Sequence, residues 1–202
     1  MRVIYSLVLM LLTPLVLLRL WRRGSKAPAY RQRWCERFAY VAALESRPIW
    51  VHAVSVGETL AAVPLIEHLL DAHPDIPVLV TTTTPTGSEQ VKRLFAERVL
   101  HVYMPYDMNG VIKRFLKRIQ PRLLVVMETE LWPNLFHHCR RQKIQVIVAN
   151  ARMSARSARG YARFKGLAAS TLNSVAVIAA QSDADAQRFI ALGAEHDRVQ
   201  VT

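Results

Sequence analysis

The sequence predicts an α/β fold built on one parallel sheet with helices on both faces. From Pro48 onward, short apolar runs alternate with stretches of helical period. The apolar runs are continuous rather than alternating, as in strands buried on both faces. Nearly every run ends in polar residues, and open parallel sheets hold their ligands outside the carboxyl ends of the strands.

The elements follow in order. A strand is expected over 49–56 and a helix over 58–72, with Leu60, Val63, Leu65, Leu69 and Leu70 marking its apolar side. Gly57 is read as permitting the turn between them. Strands over 76–82, 99–104, 123–127, 144–149 and 175–180 are each followed by a helix, over 85–95, 110–119, 131–142, 158–174 and 183–192. A last strand begins at 199. Crossovers between such parallel strands are right-handed.

Composition narrows the function classes. The chain has 202 residues, 51% hydrophobic and 21% charged, which suits a folded chain with a sizeable core. Cys35 and Cys139 supply neither a disulfide framework nor a metal-ligand spacing. The seven histidines show no ligand spacing either, so no metal site is expected. No GxGxxG follows a strand and no Walker loop is present, so no cofactor is expected. The net charge of +12 suits anionic lipid, a phosphorylated substrate or nucleic acid. No nucleic-acid-binding motif supports the last of these.

Residues 3–20 are nearly all apolar, and the basic run Arg19-Leu-Trp-Arg-Arg-Gly-Ser-Lys26 follows. Residues 1–23 are therefore read as a membrane anchor, either spanning or lying in the interface. A cleaved signal peptide carries its charge ahead of the apolar core, whereas here only Arg2 precedes it. The charges after the core place the rest of the chain on the cytoplasmic side. Residues 24–47 form a basic, aromatic juxtamembrane segment, with headgroup contact or plain solvation as its role.

The strand ends hold the candidate site. Glu58 and Glu128 can face one crevice, one as general base and one as electrostatic support. Helix capping accounts for either residue as well, and for Glu130. Thr84-Pro-Thr-Gly-Ser88 opens a helix whose free amides can hold a phosphate or carboxylate, or can simply be capped. Arg152, Arg156 and Arg159 gather near another strand end, where guanidinium forks suit phosphate and a solvated basic helix start is the alternative.

Several motifs together resemble the bacterial 3-deoxy-D-manno-octulosonic acid (Kdo) transferases. They are Lys26-Ala-Pro-Ala-Tyr-Arg31, Ser55-Val-Gly-Glu58, Thr84-Pro-Thr-Gly87, Pro105-Tyr-Asp107, Met127-Glu-Thr-Glu-Leu-Trp-Pro-Asn134 and Asn150-Ala-Arg-Met-Ser-Ala-Arg-Ser157. The glutamate- and tryptophan-bearing motif is specific, whereas Val-Gly-Glu alone is weak. The resemblance covers the whole chain and implies the amino-terminal half of a GT-B glycosyltransferase, with residues 48–202 as a Rossmann-like acceptor-binding domain. It implies transfer of Kdo from CMP-Kdo to a lipid A precursor at the cell inner membrane, with inversion and without a metal. Most CMP-Kdo contacts are expected in a second domain beyond Thr202, so this stretch alone is expected to be inactive. By motif position Glu58 is the implied general base and Glu128 the implied transition-state support. Ser55, Gly57, Thr84, Thr86, Gly87, Glu130, Arg152 and Arg156 are expected at the acceptor. Cys35 and Ala39 stand where family members often carry glycine. A non-catalytic, membrane-associated binding module is the alternative function.

Overall fold

The computed structural model describes residues 1–202, apart from the side chain of Lys26. Its seven strands are β1 (Ile49–His52), β2 (Val78–Thr82), β3 (Leu100–Tyr103), β4 (Leu123–Met127), β5 (Gln145–Ala151), β6 (Val177–Ala180) and β7 (Val199–Val201). The helices are α1 (Arg2–Lys26), α2 (Trp34–Arg37), α3 (Val56–Ala72), α4 (Pro85–Phe95), α5 (Asn109–Ile119), α6 (Pro133–Arg141), α7 (Ala155–Ala162), α8 (Lys165–Leu172) and α9 (Asp183–Ala191). All strand pairs are parallel, in the order β3-β2-β1-β4-β5-β6-β7. This is the expected Rossmann-like sheet, and its order reverses between β1 and β4. The two strands pair from Ile49 with Leu123 to His52 with Val126. Ligands of such sheets bind at the carboxyl side of this switch point.

The apolar runs are continuous because both faces are covered. Ile49 to His52 and Val78 to Thr82 are buried throughout. One core cluster includes Trp50, Phe115, Leu116, Leu135, Phe136 and Phe189. The other, across the sheet, centres on Val51, Ile66, Val80, Val91 and Phe95. Trp50 and Phe115 pack at a tilt of 52° with ring centroids 4.9 Å apart, and the buried Trp50 indole N–H donates to Thr81 Oγ1. Truncating such a ring to Ala costs about 3–5 kcal/mol.

Three expectations are corrected. β1 ends at His52, and the helix after it starts at Val56, so Glu58 lies inside its first turn. Its buried face carries Thr59, Ala62 and Ile66, while Leu60 is exposed. The single helix expected over 158–174 is two helices. Phe164, 62% exposed, sits at the corner between them, where its carbonyl takes the Leu167 N–H and its N–H donates to Tyr161. Glycines at 160 and 166 weaken a continuous helix through this corner.

The 24–47 stretch is more than a solvated collar. The Arg33 guanidinium donates to Ser88 Oγ and to the His101 carbonyl, and Glu36 accepts the Tyr103 backbone N–H. These bonds cover the edge strand β3, which otherwise presents unpaired backbone groups. Arg37 is buried, donates to the Thr83 carbonyl and stacks 4.4 Å from the Tyr103 ring. Ala39 has φ 59°, a left-handed conformation that glycine adopts at lower cost.

Helix α1 is long and apolar enough to cross a membrane, by length and composition. The polar residues of its first half, Arg2, Tyr5, Ser6 and Thr13, face the domain. Arg2 and Ser6 donate to Asn134 Oδ1, and the Tyr5 hydroxyl donates to Asp107 Oδ2. On the opposite side Val3, Leu7, Leu11, Leu15 and Leu18 are exposed.

Candidate functional site at the sheet switch point

The loops leaving β1 and β4 bring three carboxylates together. Glu58 is positioned by a capping box. Ser55 Oγ caps α3 by accepting the Glu58 backbone N–H at 3.5 Å, and its hydroxyl donates to Glu58 Oε1 at 3.0 Å. The Val54 backbone N–H donates to Glu58 Oε2 at 2.8 Å. The capping reading of this residue therefore holds, and the cap sets the carboxylate where the chain leaves the sheet at the switch point. It is 8% exposed. Burial raises its pKa, its hydrogen bonds oppose the rise, and the charge of Glu128 adds to it.

Glu128 sits at the end of β4 with φ 56°. A left-handed glutamate is uncommon, and such strain collects at functional sites. Its N–H is held by the Ala149 carbonyl of the neighbouring strand at 2.9 Å. Glu130, in the same loop, has its pKa raised to about 7, first by burial and then by the charges of Glu58 and Glu128. Three half-buried carboxylates that repel one another cost stability, and such clusters make a candidate site.

The loop after β2 joins the same rim. The Thr83 backbone N–H and its hydroxyl both donate to the Val54 carbonyl at 3.2 Å. Thr84 is the cap of α4, accepting the Gly87 N–H at 3.1 Å. A Cβ on Gly87 would lie 3.0 Å from Thr84 Oγ1 and 3.2 Å from Thr82 Cβ, so a side chain there would press on both threonines. Gly57 has no such requirement: it lies in α3, exposed, and a Cβ there would meet only Ser55 Oγ at 3.9 Å. Thr86 is exposed beside this cap.

Arg152 and Arg156 are exposed on the far side of β4. Arg156, Arg159 and Arg163 line an open cleft of about 600 Å³ on α7. Among the described residues none of these arginines is in an ion pair. They do not join the carboxylates directly, but Tyr161 of the same helix is close enough to Glu130 for its pKa to be raised by that charge, after burial.

Sequence reasoning named the motifs around Tyr106, Thr129 and Trp132 without assigning these residues a role. Their Oη, Oγ1 and Nε1 atoms are buried and have no partner among the described residues. All three are in loops leaving β3 and β4, and Tyr106 and Trp132 line a small cleft against α1 with Leu9, Thr13 and Met108 rather than the space between the glutamates. Asp107, 2% exposed, holds this rim in place. It accepts the Asn134 and Leu135 backbone N–H groups at the start of α6 at 2.9 and 2.7 Å, and the Tyr5 hydroxyl at 3.0 Å. Among the described residues no group of three or more His, Cys, Asp or Glu side chains is placed to hold a metal.

Solved structures show the same fold at low identity. A UDP-N-acetylglucosamine 2-epimerase superposes with a TM-score of 0.54 over 78% of this chain and 48% of its own, at 13% identity. A UDP-GlcNAc 2-epimerase from Neisseria meningitidis gives 0.53 over 77% and 46%, at 15% identity. Sequence relatives are closer. A 3-deoxy-D-manno-octulosonic acid transferase of Haemophilus influenzae is 40% identical over 204 residues, covering 100% of this chain and 48% of the relative. One from Bordetella pertussis is 37% identical, covering 96% and 47%. The chain thus spans about half the length of these curated relatives. The model of the family described as 3-deoxy-D-manno-octulosonic-acid transferase (kdotransferase) matches residues 32–202. With the family's sequence match running through the loops that carry Glu58, Glu128 and Glu130, the chain belongs to the 3-deoxy-D-manno-octulosonic-acid transferase family.

Proposed function

We propose that this chain is the acceptor-binding half of a glycosyltransferase that moves Kdo from CMP-Kdo to a lipid A precursor. The observation that supports it is the meeting of Glu58 and Glu128 at the sheet switch point, in the segments that follow the paired strands β1 and β4.

Glu58 is the general base. Its carboxylate takes the proton of the acceptor hydroxyl as that oxygen attacks the anomeric carbon of Kdo. The bond from that carbon to the phosphate oxygen breaks, and CMP leaves with the electron pair. Attack opposite the leaving group inverts the configuration. Both Glu58 oxygens already accept a bond, yet each keeps a lone pair for a further donor. The fixed cap geometry removes the need to reorient the base at the moment of transfer. Its raised pKa makes it a stronger base than a free carboxylate, provided it is ionised. Glu128 lends negative charge to the oxocarbenium-like centre. Glu130 is protonated part of the time near neutral pH and can then donate to a sugar oxygen.

Ser55, Thr84, Thr86 and Gly87 line the acceptor entrance, with exposed Gly57 leaving the start of α3 open to close approach. Arg152 and Arg156 face the acceptor's phosphates. Most of the CMP-Kdo contacts belong to a second domain. The chain works at the cell inner membrane, held by α1, with the sheet on the cytoplasmic side as the basic run after residue 18 suggests.

Kdo transfer measured with this chain alone and with this chain joined to a family-type second domain tests the reading. Transfer only by the joined form supports it. No transfer by folded joined protein contradicts it. The capping bonds of Glu58 favour one other reading, in which the glutamate is structural and the chain is a membrane-associated binding module.

A further inference from the structure

The start of α1 separates two clefts of opposite character that share Leu167. One, about 500 Å³, runs between α6 and α8 and is lined by Arg2, His137, Arg140, Arg141, Ser170 and Ser174, among others. The other, about 380 Å³, is almost wholly apolar and lies between α1 and the α7–α8 corner, with Ile4, Val8 and Phe164 on its walls. Neither contains Glu58, Glu128 or Glu130.

The first cleft is cationic, with only the charge of Arg2 partly met by the buried Asp107. Arg2, Arg140 and Arg141 form no ion pair among the described residues. After burial, it is the charges of Arg2, Arg141 and Arg140 that lower the pKa of His137, so the guanidinium groups act on one space. The second cleft opens beside the exposed apolar side of α1, where Ile4 is 65% and Phe164 62% exposed. A cationic cleft and an apolar cleft meeting at one leucine match an amphiphile with an anionic head and a hydrocarbon tail.

We propose that this paired cleft holds an anionic glycerophospholipid of the bilayer, its phosphate between Arg2, Arg140 and Arg141 and one acyl chain between α1 and Phe164. Such a lipid would hold α1 in the plane of the interface, with its polar side on the domain and its apolar side in the acyl region. The site is separate from the arginines of α7, which leaves those free for a phosphorylated acceptor. The proposal rests on the reading of α1 as membrane-bound.

The test is flotation of the chain, purified in detergent, with vesicles of phosphatidylcholine alone or with three parts in ten phosphatidylglycerol. The unmodified chain should float on both and prefer the anionic vesicles. The Arg140→Ala/Arg141→Ala variant should keep its binding to phosphatidylcholine and lose about tenfold or more of its affinity for the anionic vesicles. Ser170→Glu, which puts a negative charge into the cleft without removing an arginine, should lose the same preference. Lys92→Ala/Arg93→Ala, on α4 across the sheet, should change it little. Equal losses in both double variants, or no preference in the unmodified chain, would overturn the site. If a lipid A-type disaccharide bisphosphate abolished the preference at stoichiometric amounts, the cleft would belong to the acceptor and the assignment would be wrong. Failure to float on either vesicle would remove the membrane reading of α1 and the site with it.

Discussion

Replacing Glu130 with Gln should stabilise the domain at pH 8 and change it little at pH 5. Glu130 is half-buried beside Glu58 and Glu128, and its pKa rises from 4.5 to about 7. A carboxyl whose pKa is higher in the folded state binds its proton more tightly there than in the unfolded chain. Stability from this source is present at low pH and is lost as pH rises from about 4.5 through about 7. At about 1.4 kcal/mol per pH unit the full cost of ionising Glu130 is about 3 kcal/mol. Part of the side chain keeps its water, so about 1–2 kcal/mol is expected. Gln keeps the shape and cannot ionise. Urea unfolding of both proteins at pH 5 and pH 8, in a nonionic detergent, reads the difference. Asp107, pushed to about 7 by burial, lowers stability over the same range but does so in both proteins and cancels. A variant whose stability tracks that of the unmodified protein at both pH values would refute the crowding of these carboxylates.

Other perturbations address the parts that hold the site. Gly87→Ala should cost about 1 kcal/mol, because the new methyl presses on Thr84 and displaces the α4 cap; urea unfolding checks it, and an unchanged midpoint counts against the tight turn. Asp107→Asn should cost about 2–3 kcal/mol, since an amide cannot accept both backbone N–H groups at the start of α6. The same change should free the Tyr5 end of α1, read as faster amide exchange over residues 2–13. Arg152→Ala/Arg156→Ala should weaken binding of the lipid acceptor about tenfold or more with no change in unfolding midpoint, and unchanged affinity would remove these arginines from the acceptor site.

Much of the fold is legible in the sequence because parallel strands buried on both faces leave uninterrupted apolar runs. Leu123 to Met127 and Val78 to Val80 are such runs, and they lie in the strands β4 and β2. The placement of the candidate site is legible for a related reason: nearly every run ends where the chain turns polar, and the switch point brings the segments of Glu58 and Glu128 side by side. What the pattern could not settle depends on tertiary partners. Leu60 looks like a core residue by spacing, but the helix turns Thr59, Ala62 and Ile66 inward instead. The corner at Phe164 follows from packing α7 and α8 on different neighbours, which periodicity does not record. Tyr5, Ser6 and Thr13 read as interruptions of an apolar segment. In the structure they are its docking side, and their spacing of about one or two helical turns was the signal available. Helix capping and catalysis stood as competing explanations of Glu58; the structure shows the cap, and a capped carboxylate keeps lone pairs free for the proposed role.

The most direct test is Kdo transfer from CMP-Kdo to a lipid A precursor by the joined two-domain protein, with and without Glu58→Gln. Gln keeps an oxygen for the Val54 N–H, so the fold should persist. Loss of a general base should lower the turnover rate by about 10²-fold or more. In the unmodified protein the rate should rise with pH through the elevated pKa of Glu58. Full activity in the folded Glu58→Gln protein would contradict the account.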